Sequence, residues 1–161
     1  GKMVRIWNGF LFPEQNTLTA SKEIMQLLQA ACQETEYAIL GVELWGGAIS
    51  ELEPEATAFY WRQAIYNVRL VLLVPSDLNS ARHRYEADIA KLEPYWQEID
   101  KYLNGTYLNY AEASLTKQEY AAMTYGGNLQ KLVDLKQELD PDDAFCNPQS
   151  VPIPQQRMKA E

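Results

Sequence analysis

Two tyrosines flank an asparagine in the segment GTYLNYAEA, residues 105–113. The phenols of Tyr107 and Tyr110 could accept a proton, but only where a nearby positive group or a second acid lowers a tyrosine pKa from its usual value of about 10. The amide of Asn109 could anchor a ligand. The alternative is structural, with both rings packed inside and both hydroxyls at the rim. If the segment is extended, Tyr107 and Asn109 share one face and Tyr110 lies on the opposite face.

A glutamate and a tryptophan lie close together in a second segment, YAILGVELWGG, residues 37–47. Its alternating pattern predicts a strand on which Glu43 and Trp45 share a face. A glutamate between two apolar residues and beside an indole would have a raised pKa if it were desolvated, which suits a general base. The alternative is an exposed glutamate on an open sheet face.

An arginine and an asparagine lie on one face of another predicted strand, IYNVRLVLLV, residues 65–74. Asn67 and Arg69 alternate there with the residues of a uniformly apolar face. If this strand pairs with the Glu43 strand, Arg69 and Glu43 could meet, either in a site or as an ordinary cross-strand ion pair. Each strand therefore has one apolar face, which we expect to pack on helices, and one face that meets water, a ligand or another domain.

The elements that must position these residues follow from the rest of the chain. The opening KMVRIWNGFLF, residues 2–12, is typical of a strand, and the apolar spacing in residues 21–33 indicates a helix. A long helical stretch follows Asp77 and extends to about Leu103, and Pro94 is expected to kink it or to split it in two.

The C-terminal third has shorter elements. Thr116 and Glu119 predict a capping box ahead of a short helix. A further helix closes before Pro141, and four of its apolar residues are predicted to face inward: Leu129, Leu132, Val133 and Leu135. Together the elements predict an α+β fold with a mostly antiparallel sheet that helices cover on one face. Because the elements of the last third are short and its polar groups are unusual for one core, we predict that it is a separate unit.

Composition and charge argue against several classes of function. The 161 residues carry a net charge of −8 without a basic stripe, which argues against a nucleic-acid partner. No apolar run is long enough to span a membrane, and no signal peptide is visible, so no membrane partner is expected. The first residue is glycine rather than methionine, which suggests a trimmed start and leaves the localisation open. One histidine and two distant cysteines, Cys32 and Cys146, predict no metal site and two thiols rather than a disulfide.

Several motifs, taken in order, resemble the berberine bridge enzyme-like flavoproteins, which are FAD-linked oxidoreductases of the vanillyl-alcohol oxidase (PCMH-type) superfamily. ELWGGAISELEPEATAFYWR, residues 43–62, is similar to that family's glutamate–x–x–Gly-Gly segment and the TAF-x-x-R that follows it. YLNYAE, residues 107–112, resembles its Tyr-x-Asn-Tyr-x-Asp motif. Residues 125–152 resemble its C-terminal signature, in which a Tyr-x-Gly-x-Asn turn leads a helix to DP-x-x-x-F and then to QS. The resemblance covers about residues 37–152 and implies an enzyme that uses FAD.

The resemblance also implies a role for each candidate residue. Tyr110 falls at the catalytic tyrosine position, and Glu43 falls where the family has a catalytic carboxylate. The residues implied to border the flavin are Asn109, Tyr107 and Gln149, and those implied to contact substrate are Arg69, Asn67 and Trp45. The implied reaction is oxidation of an alcohol or a related C–H group, in which a base removes the hydroxyl proton while a hydride passes to flavin N5.

The flavin domain of this family is built mainly from an N-terminal half that the sequence does not resemble. The chain is therefore similar to the C-terminal half: a substrate-binding part at 1–104, a segment at 105–154 that returns to complete the flavin domain, and a tail at 155–161. The resemblance further implies an FAD-binding partner, either a second chain or a fragment of a cleaved precursor, and no activity without it. The alternative is a non-catalytic binding module, or a degenerate remnant, that docks through its sheet face.

Three positions depart from the family pattern. Trp61 stands where many members have a histidine, and Glu112 replaces the aspartate of the tyrosine motif. Arg69 stands near a position where carbohydrate-oxidising members use glutamine to hold the substrate. That change favours an anionic substrate over a neutral sugar, unless Arg69 pairs with Glu43 instead.

Overall fold

The computed structural model describes residues 1–77 and 79–153, and the predicted tail at 155–161 lies outside the described residues. The strands are β1 (Lys2–Leu11), β2 (Ala38–Leu44) and β3 (Tyr66–Pro75). The helices are α1 (Leu18–Glu34), α2 (Ala81–Asp100), α3 (Lys117–Tyr125) and α4 (Leu129–Leu139), with short 3₁₀ turns at Gly47–Ile49, Pro54–Ala56 and Gly126–Asn128. The predicted α+β class is confirmed.

The central strand of the sheet is β3, which pairs antiparallel with β1 on one side and with β2 on the other. The register sets Arg69 opposite Gly41 and Asn67 opposite Glu43. Because side chains alternate along a strand and opposite residues share a face, Glu43, Asn67 and Arg69 lie on one face of the sheet, here called the site face. The pairing on which a contact between Arg69 and Glu43 depends is therefore present.

The opposite face of the sheet, here called the helix face, forms the core. Four of the β3 side chains on this face are no more than 1% exposed: Val68, Leu70, Leu72 and Val74. Their main partners on α1 and α2 are Ile24, Leu28, Leu92 and Ile99. Complete burial of one such side chain contributes about 1.5–3 kcal/mol, so this layer supplies much of the stability. The prediction that helices cover one face of the sheet is confirmed.

The apolar side of β2 is covered only at its beginning. Ala38 packs against the core, whereas Leu40, Val42 and Leu44 are 36%, 41% and 78% exposed. The expectation that helices cover this side of β2 is therefore wrong for most of the strand. A groove of about 380 Å³ opens between α1 and the sheet, and Met25 and Val42 are among the residues that line it. The groove leaves Val42 outside the core.

Helix α2 runs unbroken through Pro94, so of the two expected outcomes the split is excluded and the kink stays a prediction. Proline cannot donate the helical hydrogen bond to the carbonyl four residues earlier, which here belongs to Ala90. Ala90 is exposed, so water can donate to that carbonyl instead. Leu92 and Trp96, which flank the proline, are both buried and hold the helix on the core.

The C-terminal helices form where they were predicted. The Thr116 hydroxyl accepts from the Glu119 N–H and the Glu119 carboxylate accepts from the Thr116 N–H, which confirms the capping box. On α4, Val133 is buried, but Leu135 is 42% exposed, so the prediction that Leu135 faces inward is wrong. Leu135 instead borders an open groove between α4 and the segment that follows it. No helix among the described residues is both long and apolar enough to cross a lipid bilayer.

Candidate functional site

Three predicted residues, Glu43, Arg69 and Tyr110, meet on the site face. Arg69 forms an ion pair with Glu43, and its Nη1 donates to the Tyr110 hydroxyl at 2.5 Å. The Tyr110 hydroxyl donates to Glu43 Oε1 at 3.4 Å. The cross-strand pair is therefore present. The Glu43 side chain is 39% exposed, so the desolvation that a base role for Glu43 alone would require is not reached within the described residues.

The surroundings of Tyr110 shift its pKa in opposing directions. Desolvation raises the pKa of the phenol above its ordinary value, Arg69 lowers it in part, and Glu43 raises it again. The Arg69 guanidinium carbon lies 5.0 Å from the centre of the Tyr110 ring, close enough for its charge to act on the phenol. Because the net shift of the Tyr110 pKa is upward, the phenol carries its proton at neutral pH. A phenolate base would need a lowered pKa, and the lowering by Arg69 is outweighed.

The segment around Tyr110 is a turn rather than an extended piece. The Tyr110 N–H donates to the Tyr107 carbonyl at 2.8 Å and closes a four-residue turn. The turn brings the two rings together, with centroids 5.4 Å apart, so the prediction that Tyr110 faces away from Tyr107 is wrong. Asn109 is exposed, and its Nδ2 donates to the Tyr107 hydroxyl at 2.8 Å. An asparagine at the third position of a turn is the signal that the extended prediction overlooked.

Two β1 residues hold the beginning of this turn. Asn8 Oδ1 accepts from the Tyr107 N–H and Asn8 Nδ2 donates to Thr106 Oγ1, both at 2.8 Å. Phe10 and Asn104 exchange two backbone hydrogen bonds of 2.9 Å each. Sequence reasoning missed Asn8, whose signal is a lone amide inside an apolar strand. The Asn8 bonds cross the proposed domain boundary after residue 104, which stays a prediction.

A buried ion pair holds the chain just after the turn. Arg5 Nη2 lies 3.0 Å from Glu112 Oε1, and the two side chains are 7% and 8% exposed. Ser114 Oγ donates to the same oxygen at 2.7 Å. Gln149 is also bound here, because its Nε2 donates to the Glu112 carbonyl at 2.8 Å. Removing one partner of such a buried pair costs several kcal/mol, so Glu112 fixes the path of the chain beyond Tyr110.

Trp45 lies in a cluster of aromatic rings that includes Tyr107, a neighbour of Tyr110. Its ring centroid is 5.0 Å from that of Tyr107, 5.1 Å from that of Phe10 and 5.3 Å from that of Phe59. Aromatic pairs in favourable geometry contribute about 0.5–1.5 kcal/mol each beyond their burial, so the cluster fixes the Tyr107 ring. Trp45 is only half-buried, which leaves part of its indole open to a ligand.

Asn67 lies on the site face but is closed off from solvent. Its side chain is fully buried, and Nδ2 donates to the Gly9 carbonyl at 3.3 Å and to Asn8 Oδ1 at 3.5 Å. Within the described part of the chain, the Asn67 Oδ1 atom has no hydrogen-bond partner. These bonds tie β3 to β1. A direct substrate contact requires the groups above Asn67 to move, and that role stays a prediction.

Two glycines are covered by aromatic rings. Gly105 has a φ of 65°, and a Cβ on it would lie 2.2 Å from the Trp61 ring. Trp61 also donates from Nε1 to the Met123 carbonyl at 2.9 Å, which joins the connection after β2 to α3. A Cβ on Gly126 would lie 2.3 Å from the Tyr60 ring. The glycine turn at Gly126 is therefore packed against a ring rather than open to a phosphate.

Comparisons with known proteins show which longer proteins this chain is similar to. Residues 106–152 match the family model described as berberine and berberine like. The chain is 30% identical over 108 residues to the uncharacterized FAD-linked oxidoreductase YvdP of Bacillus subtilis (strain 168), covering 67% of this chain and 23% of that protein. It is 47% identical over 47 residues to the glucooligosaccharide oxidase of Sarocladium strictum, covering 29% of this chain and 9% of that protein.

Solved structures match over nearly the whole chain. The berberine bridge enzyme from Eschscholzia californica gives a TM-score of 0.80 at 16% identity, over 95% of this chain and 33% of that one. Physcomitrella patens BBE-like 1 gives a TM-score of 0.76 at 20% identity, over 96% of this chain and 31% of that one. At these identities the matches show the fold alone.

The chain is much shorter than its relatives. It spans 23% of YvdP and 33% of the Eschscholzia enzyme. YvdP is named as an FAD-linked oxidoreductase, as is sorD of Penicillium rubens, and FAD is the cofactor of the matched family. Residues 106–152 therefore match the berberine bridge enzyme-like family, and the chain is similar to one part of longer proteins that are named as FAD-linked oxidoreductases.

Proposed function

We propose that this chain forms the substrate side of an FAD-dependent oxidoreductase that oxidises an alcohol or a related C–H group. The observation that carries the proposal is the contact of Tyr110, Glu43 and Arg69 on the site face. FAD, when bound, accepts a hydride from the substrate carbon at N5 of its ring. An alcohol that gives up a hydride must also lose its hydroxyl proton, and the three side chains are suited to that second task.

Tyr110 is the residue that we assign to the proton. Its pKa is raised by desolvation, so it begins as a neutral phenol rather than a phenolate. The Tyr110 oxygen takes the substrate proton while its own proton passes to Glu43 Oε1, 3.4 Å away. Catalytic hydrogen bonds are often long before substrate binds and tighten in the complex. Arg69 stabilises the negative charge that develops on the Tyr110 oxygen during the transfer.

The described residues fit the edge of a flavin ring but not its phosphates. Asn109 is exposed beside Tyr107, and both carry groups that can hydrogen-bond to a ring. We assign these two residues to the flavin, together with Gln149, which is bonded to the backbone of the same segment. The turn at Gly126 is filled by Tyr60 and offers no room for a phosphate. Phosphate binding therefore falls to an FAD-binding part outside the described residues.

The substrate is proposed to lie between Trp45 and Tyr110. Because Arg69 is paired with Glu43, its charge is balanced inside the site, and the argument for an anionic substrate loses its basis. A neutral carbohydrate alcohol, the kind of substrate in the name of the Sarocladium relative, is therefore compatible with the site. Asn67 lies beneath this region and supports it through its bonds to β1.

An absorption spectrum tests the proposal. After incubation with FAD and removal of the unbound flavin by gel filtration, the purified chain is expected to be colourless, and it should retain a flavin band only when the FAD-binding part is supplied. Oxidation of an alcohol should then accompany the flavin band. Tight, stoichiometric flavin on the isolated chain would contradict the division of the site between two parts.

One observation favours a second candidate, a non-catalytic binding module. Glu43 is neutralised by Arg69, and Tyr110 holds its proton, as side chains in a purely structural network do. The same spectrum separates the two candidates. An intact complex isolated without a flavin band would support the module, and a flavin band would support the enzyme.

A further inference from the structure

Gly41 lies directly opposite Arg69 in the pairing of β2 with β3. A glycine inside a strand is destabilising by roughly 0.5–1 kcal/mol relative to alanine, and it often marks a place where another group approaches closely. Gly41 is not among the described glycines that have a positive φ, and it pairs regularly with Arg69 in the β2–β3 ladder. The reason for this glycine is therefore the space above it rather than its backbone conformation.

The Arg69 side chain fills that space. A Cβ on Gly41 would lie 2.6 Å from Arg69 Nε, 2.8 Å from Cγ and 3.2 Å from Cδ. Real Cβ atoms essentially never approach other heavy atoms within 3.0 Å. Because Cγ is close to the backbone, Arg69 could not relieve such a clash by moving its guanidinium alone. The whole side chain would have to adopt another rotamer.

The path of Arg69 across Gly41 determines which groups it reaches. Glu43 is the next β2 residue on the site face, and the guanidinium pairs with its carboxylate. The same Nη1 donates to the Tyr110 hydroxyl at 2.5 Å. One rotamer of Arg69 thus joins a strand residue to the turn that carries Tyr110.

We propose that Gly41 is a positioning residue. Because it has no side chain, it leaves the space that Arg69 needs to adopt the rotamer that links Glu43 to Tyr110. The inference rests on the proposed function, because it is there that Arg69 stabilises charge on Tyr110. Gly41 touches neither substrate nor flavin in this scheme. It acts only through Arg69.

The test measures the phenol itself rather than turnover. In the full chain, Tyr110 is replaced by 3-nitrotyrosine, whose ionisation near neutral pH is visible in its absorption. Gly41→Ala is expected to raise the pKa of the nitrophenol by about 1 unit, the effect of moving an opposite charge away. Val42→Ala, on the next residue and the opposite face, is the matched control and should leave that pKa unchanged. Circular dichroism verifies that each variant is folded.

A second background distinguishes positioning from general damage. Arg69→Ala removes the atoms that a Cβ at position 41 would meet, so adding Gly41→Ala there should leave the nitrophenol pKa unchanged and should not lower the free energy of unfolding. If Gly41→Ala alone does not fold, recovery of folding in the Arg69→Ala background supports the inference. An unchanged pKa in Gly41→Ala, or equal shifts in both backgrounds, would overturn it. These readouts need no flavin, so failure of the proposed enzyme function would be seen separately, in the spectrum and the turnover of the assembled protein.

Discussion

The two faces of β3 use neighbouring residues of one strand for different purposes. On the helix face, Leu70 and Leu72 are fully buried and are held by apolar contact alone. On the site face, Arg69 is held by an ion pair and a hydrogen bond and stays partly exposed. Alternate residues of a single strand can therefore serve different roles, one set stabilising the fold and the other forming the site. Changes on the helix face should alter folding, and changes on the site face should alter the reaction.

The largest effect on stability is expected for Leu70→Ala. Removing a fully buried leucine leaves a cavity, so the free energy of unfolding should fall by about 2–5 kcal/mol. Denaturant unfolding of the chain measures it. Val71→Ala, at the half-buried neighbour on the site face, is the control and should cost clearly less. Equal losses for the two variants would break the distinction between the faces.

The largest effect on the reaction is expected for Tyr110→Phe. Loss of the hydroxyl removes the proton acceptor, so turnover of the assembled enzyme should fall by about 10² or more. The free energy of unfolding should change by no more than about 1 kcal/mol, the usual net value of one hydrogen bond. Tyr102→Phe, on the helix side, loses a hydroxyl bonded to Glu23 and should keep full turnover. Unchanged turnover in Tyr110→Phe would remove Tyr110 from the mechanism.

An effect that shrinks as the pH rises, and that is smaller than that of Tyr110→Phe at high pH, is expected for Glu43→Gln. Without the carboxylate, Tyr110 must ionise before it can take a proton. Since desolvation raises its pKa, little phenolate is present at neutral pH, and turnover should climb about tenfold per pH unit below that pKa. A pH–turnover profile of the assembled enzyme measures it, with exposed Glu51→Gln as control. A profile parallel to that of the unmodified protein would show that Glu43 does not receive the proton.

The smallest effect is expected for Leu44→Ser. Leu44 belongs to the apolar side of β2 but is 78% exposed, so the free energy of unfolding should change by less than about 0.5 kcal/mol. Denaturant unfolding measures this change, and the value is compared with that of Leu70→Ala. Both residues lie on the helix face, but helices cover Leu70 and leave Leu44 exposed. A loss above about 1 kcal/mol would show that something covers Leu44 in solution.

Local patterns predicted much of the fold. Strict alternation placed Asn67 and Arg69 on one face of β3, and a shared register was enough to bring Arg69 to Glu43. The Thr116–Glu119 capping box was predicted correctly because its bonds lie within one turn of helix. Such signals act over a few residues, so one sequence contains them completely.

The parts that were missed depend on distant contacts. Pro94 was expected to kink α2 or to split it, but it does not split the helix, because buried side chains on both sides of it hold the helix on the core. The segment after β3 and α2 was expected to be extended, yet Asn8 and the Arg5–Glu112 pair bind it to β1 across more than 90 residues and shape the turn at Tyr110. Nothing within the segment itself records those partners.

In the described part of the chain, β2 is an edge of the sheet, paired with β3 on one side. Its other side has no strand partner among the described residues and lies next to exposed Ile39 and Val42. Edge strands usually carry a lysine, a proline or a bulge that prevents unwanted pairing. Between Ala38 and Leu44 the charged residue is Glu43, and its charge is balanced by Arg69. The edge of β2 therefore bears on the solubility of the chain. Its net charge of −8 makes copies of the chain repel one another. Because added salt screens that charge, it should promote precipitation.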